Sequence, residues 1–176
     1  MIYVVRHGET DLNKEGRMQG RQGLPLNDTG LRQAEDLRRQ LNGMTFDCVY
    51  SSPQARAVRT AEIVSGKQAD TAADLDVFDL GEADRLKTGE VRMNGIVPDA
   101  SVYPGLEDVN QFVKRIFRFM TGLEKRYRGT EKNVLIAGHR CTTGCIGAYF
   151  EGLPEDGNIL RFSSDTGKYK VYQFHD

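Results

Sequence analysis

The chain is short of cysteine, of net charge and of long apolar runs, and each shortage excludes a class of protein. Three cysteines (Cys48, Cys141, Cys145) in 176 residues are an odd number, which argues against a disulfide framework and for a reducing compartment. Cys141 and Cys145 lie four apart and can share a helix face. No second pair at metal-ligand spacing accompanies them, so they read as buried free thiols rather than a zinc site. Lys and Arg number 24 against 25 Asp and Glu, a formal net charge of −1. No global field therefore draws the chain to nucleic acid or to a membrane, and an anionic ligand must be attracted by a local pocket. Nothing approaches the ~20 apolar residues of a membrane span, and no basic segment leads into a long apolar one. The expectation is a cytoplasmic protein of one domain over residues 1–176, long enough to bury most of its apolar surface. It has no Walker-type phosphate loop and no carboxylate cluster suited to magnesium, so neither metal nor cofactor is expected.

What is present is organised around Arg6-His7-Gly8-Glu9. The short apolar run Ile2-Tyr3-Val4-Val5 reads as a buried strand, and the residues after it sit at its carboxyl end, where open parallel sheets place ligands. Gly8 lets the backbone turn and bring an N–H close to a ligand. A long polar stretch from Glu9 to Asp28 follows, in which Asn13, Arg17, Gln19, Gly20 and Arg21 can line a polar pocket or a solvated loop. Asn27 caps a helix marked by Leu31, Ala34, Leu37 and Leu41 and ended by Gly43. Phe46 to Tyr50 read as a second buried strand. Ser52 as cap and Pro53 at the first helical position start a helix that carries Arg56 on its first turn.

Residues 68–104 have a weak pattern, with a short strand through Leu75, Val77, Phe78 and Leu80 and an acidic group at Asp79, Glu82, Asp84 and Glu90. Gly105 to Arg126 is the clearest helix, its apolar positions recurring every three or four residues. A third buried strand, Val134-Leu135-Ile136-Ala137, ends in Gly138-His139-Arg140, and a helix from about Thr142 to Phe150 follows. Two strands, Asn158–Ser163 and Tyr169–Phe174, close the chain as an edge hairpin about an Asp165-Thr166-Gly167 turn, and that edge is open to pairing with a second copy.

Alternating strands and helices imply an α/β fold with a mostly parallel sheet. Three buried strands then deliver Arg6-His7, Arg56 and His139-Arg140 to one sheet edge. Arginine forks and helix N-termini suit phosphate oxygens. One imidazole can attack phosphorus covalently, and the other, if protonated, can stabilise charge on the equatorial oxygens.

In these residues the chain resembles the histidine phosphatase superfamily, the phosphoglycerate mutase-like proteins. The matching blocks are Arg6-His7-Gly8-Glu9-Thr10 with Asn13, Gln19-Gly20, Pro25-Leu26, Gly30 with Gln33-Ala34, Ser51-Ser52-Pro53 with Arg56-Ala57 and Thr60-Ala61-Glu62, and Gly138-His139. The resemblance implies a three-layer sandwich with a mostly parallel central sheet flanked by helices. It implies His7 as the phosphorylated nucleophile, with Arg6, Arg56, His139 and Asn13 on the phosphate, and Gln19, Gly20 and Arg140 are carried as further candidate substrate contacts.

Two positions depart from the pattern. The family's general acid, a glutamate four residues before a glycine, falls on Val77 if Gly81 is that glycine. Glu82 in a shifted register is the first substitute, with Asp79 and Asp84 in reserve. Arg140 stands where the family usually has glycine, and it either adds a charge to the pocket or points outward. The expected function is metal-independent hydrolysis of small phosphomonoesters. The alternatives are a cofactor-dependent phosphoglycerate mutase, for which residues 66–105 leave little material for a lid, and a catalytically weak phosphate-binding regulatory protein.

Overall fold

The computed structural model of the protein describes residues 1–175. It is a three-layer α/β sandwich around a five-stranded sheet. The first strand, β1 (Ile2–Arg6), leads into a one-turn helix α1 (Asp11–Lys14) and then α2 (Asp28–Gln40). Next come β2 (Cys48–Ser51), α3 (Ala55–Ser65) and a two-residue strand β3 (Asp70–Thr71). A small antiparallel pair, β4 (Met93–Asn94) and β5 (Val97–Pro98), precedes α4 (Val109–Tyr127), β6 (Val134–Gly138), α5 (Arg140–Glu151) and β7 (Tyr169–Tyr172). The sheet order is β3-β2-β6-β1-β7, parallel except for β7, which runs antiparallel along β1 at one edge.

The period-2 alternation of the strands splits the core into two layers. Ile2, Val4, Val134 and Ile136 pack with Phe112, Ile116, Met120 and Leu123 of α4 and with Ile146 of α5. Tyr3, Val5, Leu135 and Ala137 pack on the other face with Ala34 and Leu37 of α2 and Ala61 and Val64 of α3. Each of the four buried α4 side chains contributes about 2 kcal/mol on this scale of burial. No helix among the described residues is long and apolar enough to cross a membrane.

Several local expectations give way to longer-range contacts. Leu75 to Leu80 form no strand. The carbonyls of Asp74, Asp76 and Val77, which a neighbouring strand would occupy, accept from the Arg115 guanidinium at 2.7–3.2 Å. Asp76 also caps the Val77 N–H with its own carboxylate at 2.8 Å, a local bond that competes with a ladder. The α4 helix starts at Val109 rather than Gly105, with the Asp108 carboxylate accepting from Gln111 N–H at 3.0 Å. Residues 159–162 wind into a 3-10 turn instead of a strand and lie on α5, where Gly144 leaves room for the Ile159 carbonyl. So β7 has no hairpin partner and pairs with β1 instead. Likewise α3 starts at Ala55, not Pro53: the Ser52 hydroxyl accepts from the Gln54 N–H at 3.2 Å, but Gln54 itself is extended and the helix begins only after it.

The loop after β1 packs on the first turn of α2 with backbone against backbone at Gly30: a Cβ there would stand 2.1 Å from the Glu9 carbonyl oxygen. Backbone cannot rotate aside as a side chain can. Gly30→Ala should therefore lower stability by about 2 kcal/mol or more, read as a drop in the urea midpoint, although alanine is the better helix former.

Candidate active site

The register of β1 on β6 sets the two histidines side by side. Arg6 pairs with Gly138, and the His7 N–H donates to the Gly138 carbonyl at 2.9 Å, so His7 and His139 leave adjacent strand ends. Their ring centroids are 5.2 Å apart and both residues are buried. His7 Nδ1 lies 2.6 Å from the Gly8 carbonyl oxygen. A carbonyl only accepts, so Nδ1 carries the proton and Nε2 holds a free lone pair. Burial, reinforced by the positive charge of Arg56, lowers the His7 pKa to about 3, which keeps the ring neutral in physiological conditions. Gly8 serves otherwise than expected. Its N–H is committed to Thr60 Oγ1 at 3.1 Å, and a Cβ there would meet the Gly30 carbonyl at 2.5 Å.

His139 Nε2 lies 2.7 Å from the hydroxyl of Ser52, while its Nδ1 is buried with no protein partner. Burial and then Arg56 hold its pKa well below the usual imidazole value. Ser52, expected as a helix cap, accepts from the Gln54 N–H at 3.2 Å and also fixes this ring. In the sequence Ser52 stands out only as a cap and as part of the Ser51-Ser52-Pro53 block, not as a partner of His139.

Two arginines flank the imidazoles. Arg6 donates from Nη1 to the Ser164 carbonyl at 3.2 Å and leaves a buried Nε without a partner. Arg56 is only 2 % exposed, donates from Nη2 to the Gly20 carbonyl at 2.9 Å, and has a buried, unpartnered Nε. Burial pulls its pKa down to about 10 against the opposing charges of Asp84 and Asp76, so it remains a cation. Gly23 makes room for it, since a Cβ there would fall 1.9 Å from Nη1. Gln19 accepts from Thr10 Oγ1 and Leu24 N–H through Oε1, and its buried Nε2 has no partner. Thr10 caps α1, and Asn13 closes the capping box by accepting from the Thr10 N–H at 3.0 Å, which leaves its amide NH2 to spare. Arg6 Nε, Arg56 Nε, Gln19 Nε2 and His139 Nδ1 are thus four buried nitrogens without protein partners. Unpaired buried donors are costly, and an anion is the ligand that satisfies them.

A cavity of about 580 Å³ opens over this floor. Arg6, His7, Asn13, Gln19, His139 and Arg140 all line it. Arg56 and Gly20 do not: the Gly20 N–H donates to Asp84, and its carbonyl accepts from Arg56. The segment 68–104, short as it is, walls the cavity with Val77, Phe78 and Leu80 and with the β4–β5 pair.

The expected acid is not brought to the site. Glu82 is exposed on the 3-10 turn Gly81–Ala83 and does not line the cavity, because the positive φ of Gly81 and its close approach to Pro104 turn that segment outward. Of the reserves, Asp79 accepts from Gly81 N–H and faces Arg21, and Asp84 accepts from Gly20 and Gln22 N–H. Val77 stands on the wall instead, and among the described residues no Asp or Glu does.

A histidine phosphatase superfamily (branch 1) model matches residues 2–176. The chain belongs to the histidine phosphatase superfamily. Among curated relatives it is 33 % identical over 141 residues to the uncharacterized phosphatase PhoE of Bacillus subtilis, covering 78 % of this chain and 70 % of that one. It is 28 % identical over 166 residues to a probable phosphoglycerate mutase GpmB of Cronobacter sakazakii, covering 87 % and 75 %. Among solved structures it superposes on the alpha-ribazole phosphatase of Shigella flexneri with a TM-score of 0.78 at 25 % identity, covering 96 % and 87 %. Superfamily membership therefore spans both phosphatase and mutase-like relatives.

The two depressed histidines tie stability to pH. Their folded pKa values lie below the unfolded value of about 6.5, so the unfolded chain binds more protons beneath that pH. Stability is complete above it and falls as pH drops through the window toward 3, the folded value for His7. Between pH 7 and 5, above the carboxylate range, wild type should lose stability with a slope approaching two protons. Each of His7→Asn and His139→Asn should remove about 1.4 kcal/mol per pH unit from that slope in urea unfolding.

Proposed function

We propose that this protein is an enzyme that hydrolyses small phosphorylated molecules without a metal, by moving the phosphoryl group onto His7 Nε2. The observation that carries the reading is the neutral His7 ring, its Nδ1 proton held by Gly8 and its Nε2 lone pair free, lining one cavity with the unpartnered donors of Arg6, Gln19 and His139. Attack by Nε2 forms the N–P bond as the P–O bond to the leaving group breaks, and the Gly8 carbonyl stabilises the imidazolium that results. Arg6, Arg56, Gln19 and Asn13 supply N–H donors for the equatorial oxygens, which gain charge in flight. His139 is neutral without ligand, and a bound dianion raises its proton affinity, so that it donates to the same oxygens. Water then attacks phosphorus from the cavity side and regenerates His7.

The carboxylate-free wall favours a second reading, a regulatory protein that binds phosphate without turnover. The two are separated by acid-quench labelling with a radioactive aryl phosphate. Wild type should give an acid-labile, base-stable phosphoenzyme and release phosphate, and His7→Ala should give neither. Vanadate binding without phosphoenzyme in wild type would establish the regulatory reading.

A further inference from the structure

The cavity wall carries cations and no acid. Arg17 and Arg161 are paired with Glu15 and Asp156 toward the surface. Arg140 is different: it opens α5 directly after His139, lines the cavity, and its guanidinium has no hydrogen-bond or ion-pair partner among the described residues. The other titratable groups on the wall are poor proton donors. Burial pushes the Cys141 thiol up, while His139 is held by Ser52 through Nε2 and, in the phosphohistidine reading, gives its Nδ1 to the equatorial oxygens rather than to the leaving group. Val77 and Phe78 add only hydrocarbon.

An alkoxide leaving group needs a proton as its bond to phosphorus breaks, and a positioned acid contributes roughly a hundredfold or more to that step. A departing carboxylate or phosphate needs no proton, only a cation to meet its charge. We infer that the donors of this enzyme are phosphoanhydrides and acyl phosphates, whose leaving group departs as a weakly basic oxyanion, with Arg140 meeting the charge that an acid would otherwise cancel. The inference rests on the phosphohistidine reading and narrows it to a substrate class. The step balances without an acid. Neutral His7 attacks a donor phosphoryl group, the P–O electron pair leaves with the oxyanion, and the phosphoimidazolium retains the Nδ1 proton. Water then adds its oxygen to phosphorus, the N–P pair returns to Nε2, and both water protons leave on the dihydrogen phosphate product.

The test is a leaving-group series on the intact protein: quenched-flow phosphorylation of His7 by acetyl phosphate, pyrophosphate and glycerol 3-phosphate. Acetyl phosphate and pyrophosphate should each phosphorylate His7 about a hundredfold faster than glycerol 3-phosphate, the size of a missing general acid. Arg140→Gln should cut the rate with pyrophosphate by about tenfold or more, and the rate with glycerol 3-phosphate by less. If glycerol 3-phosphate reacts as fast as the other two, the inference fails and the phosphohistidine reading stands. Equal losses with every donor in Arg140→Gln would remove Arg140 from the leaving-group side and overturn the inference. If no donor labels His7, both readings fall together.

Discussion

The structure depends on keeping two guanidinium groups and two imidazoles dry within one hollow. Removing charge from water is expensive, and like charges side by side add to the expense. The histidines respond by staying neutral, which is the state a nucleophilic lone pair requires. Arginine cannot respond that way, so Arg56 is compensated by its neighbours. The Gly20 carbonyl accepts from it, Asp84 and Asp76 oppose its charge, and Gly23 gives it space. Asp84 in turn holds the 20–22 backbone that presents that carbonyl. Asp84, which looks in the sequence like a candidate acid, is thus spent on holding a cation in place.

The sheet supplies the other half of the arrangement. Because β1 lies beside β6, two strands far apart in sequence end within one ring contact of each other. β2 flanks β6 on its other side, which is why Ser52 reaches His139. The close backbone contact of Gly8 on Gly30 then clamps the loop that follows His7 to α2. Local instability at the floor is offset by this tight packing, the usual relation between a functional site and its scaffold.

The strand-end groups were legible in the sequence because they follow short β-branched runs whose meaning is local. His7, His139, Arg6 and Arg140 all line the cavity for that reason. Arg56 was legible as a neighbour of the site but not as a buried group propped from behind, since its partners lie in the 19–23 loop and in 76–84. Residues 74–77 were opaque because the carbonyls of Asp74, Asp76 and Val77 are satisfied by Arg115, far along the chain, rather than by a repeating ladder. The same holds for 159–162, whose conformation is dictated by Gly144 on α5. Glu82 shows the limit of reading a motif by register: the spacing to Gly81 is visible in the sequence, but the direction in which the turn points is not.

The missing acid and the free Arg140 are two sides of one electrostatic choice. A carboxyl placed on this wall would share a cavity with Arg6 and Arg140, and nearby cations depress a carboxyl pKa. It would sit ionised and ion-paired unless desolvation outweighed them, and an ionised carboxylate cannot protonate a leaving group. It would also consume the guanidinium on the wall that has no partner among the described residues. With Val77 on the wall, Arg140, which is exposed and lines the cavity, is left unpaired for the substrate. Such a wall serves a leaving group that is stable as an anion and serves an alcohol poorly. The chemistry open to the same buried histidine is therefore selected by what stands opposite it rather than by the histidine itself.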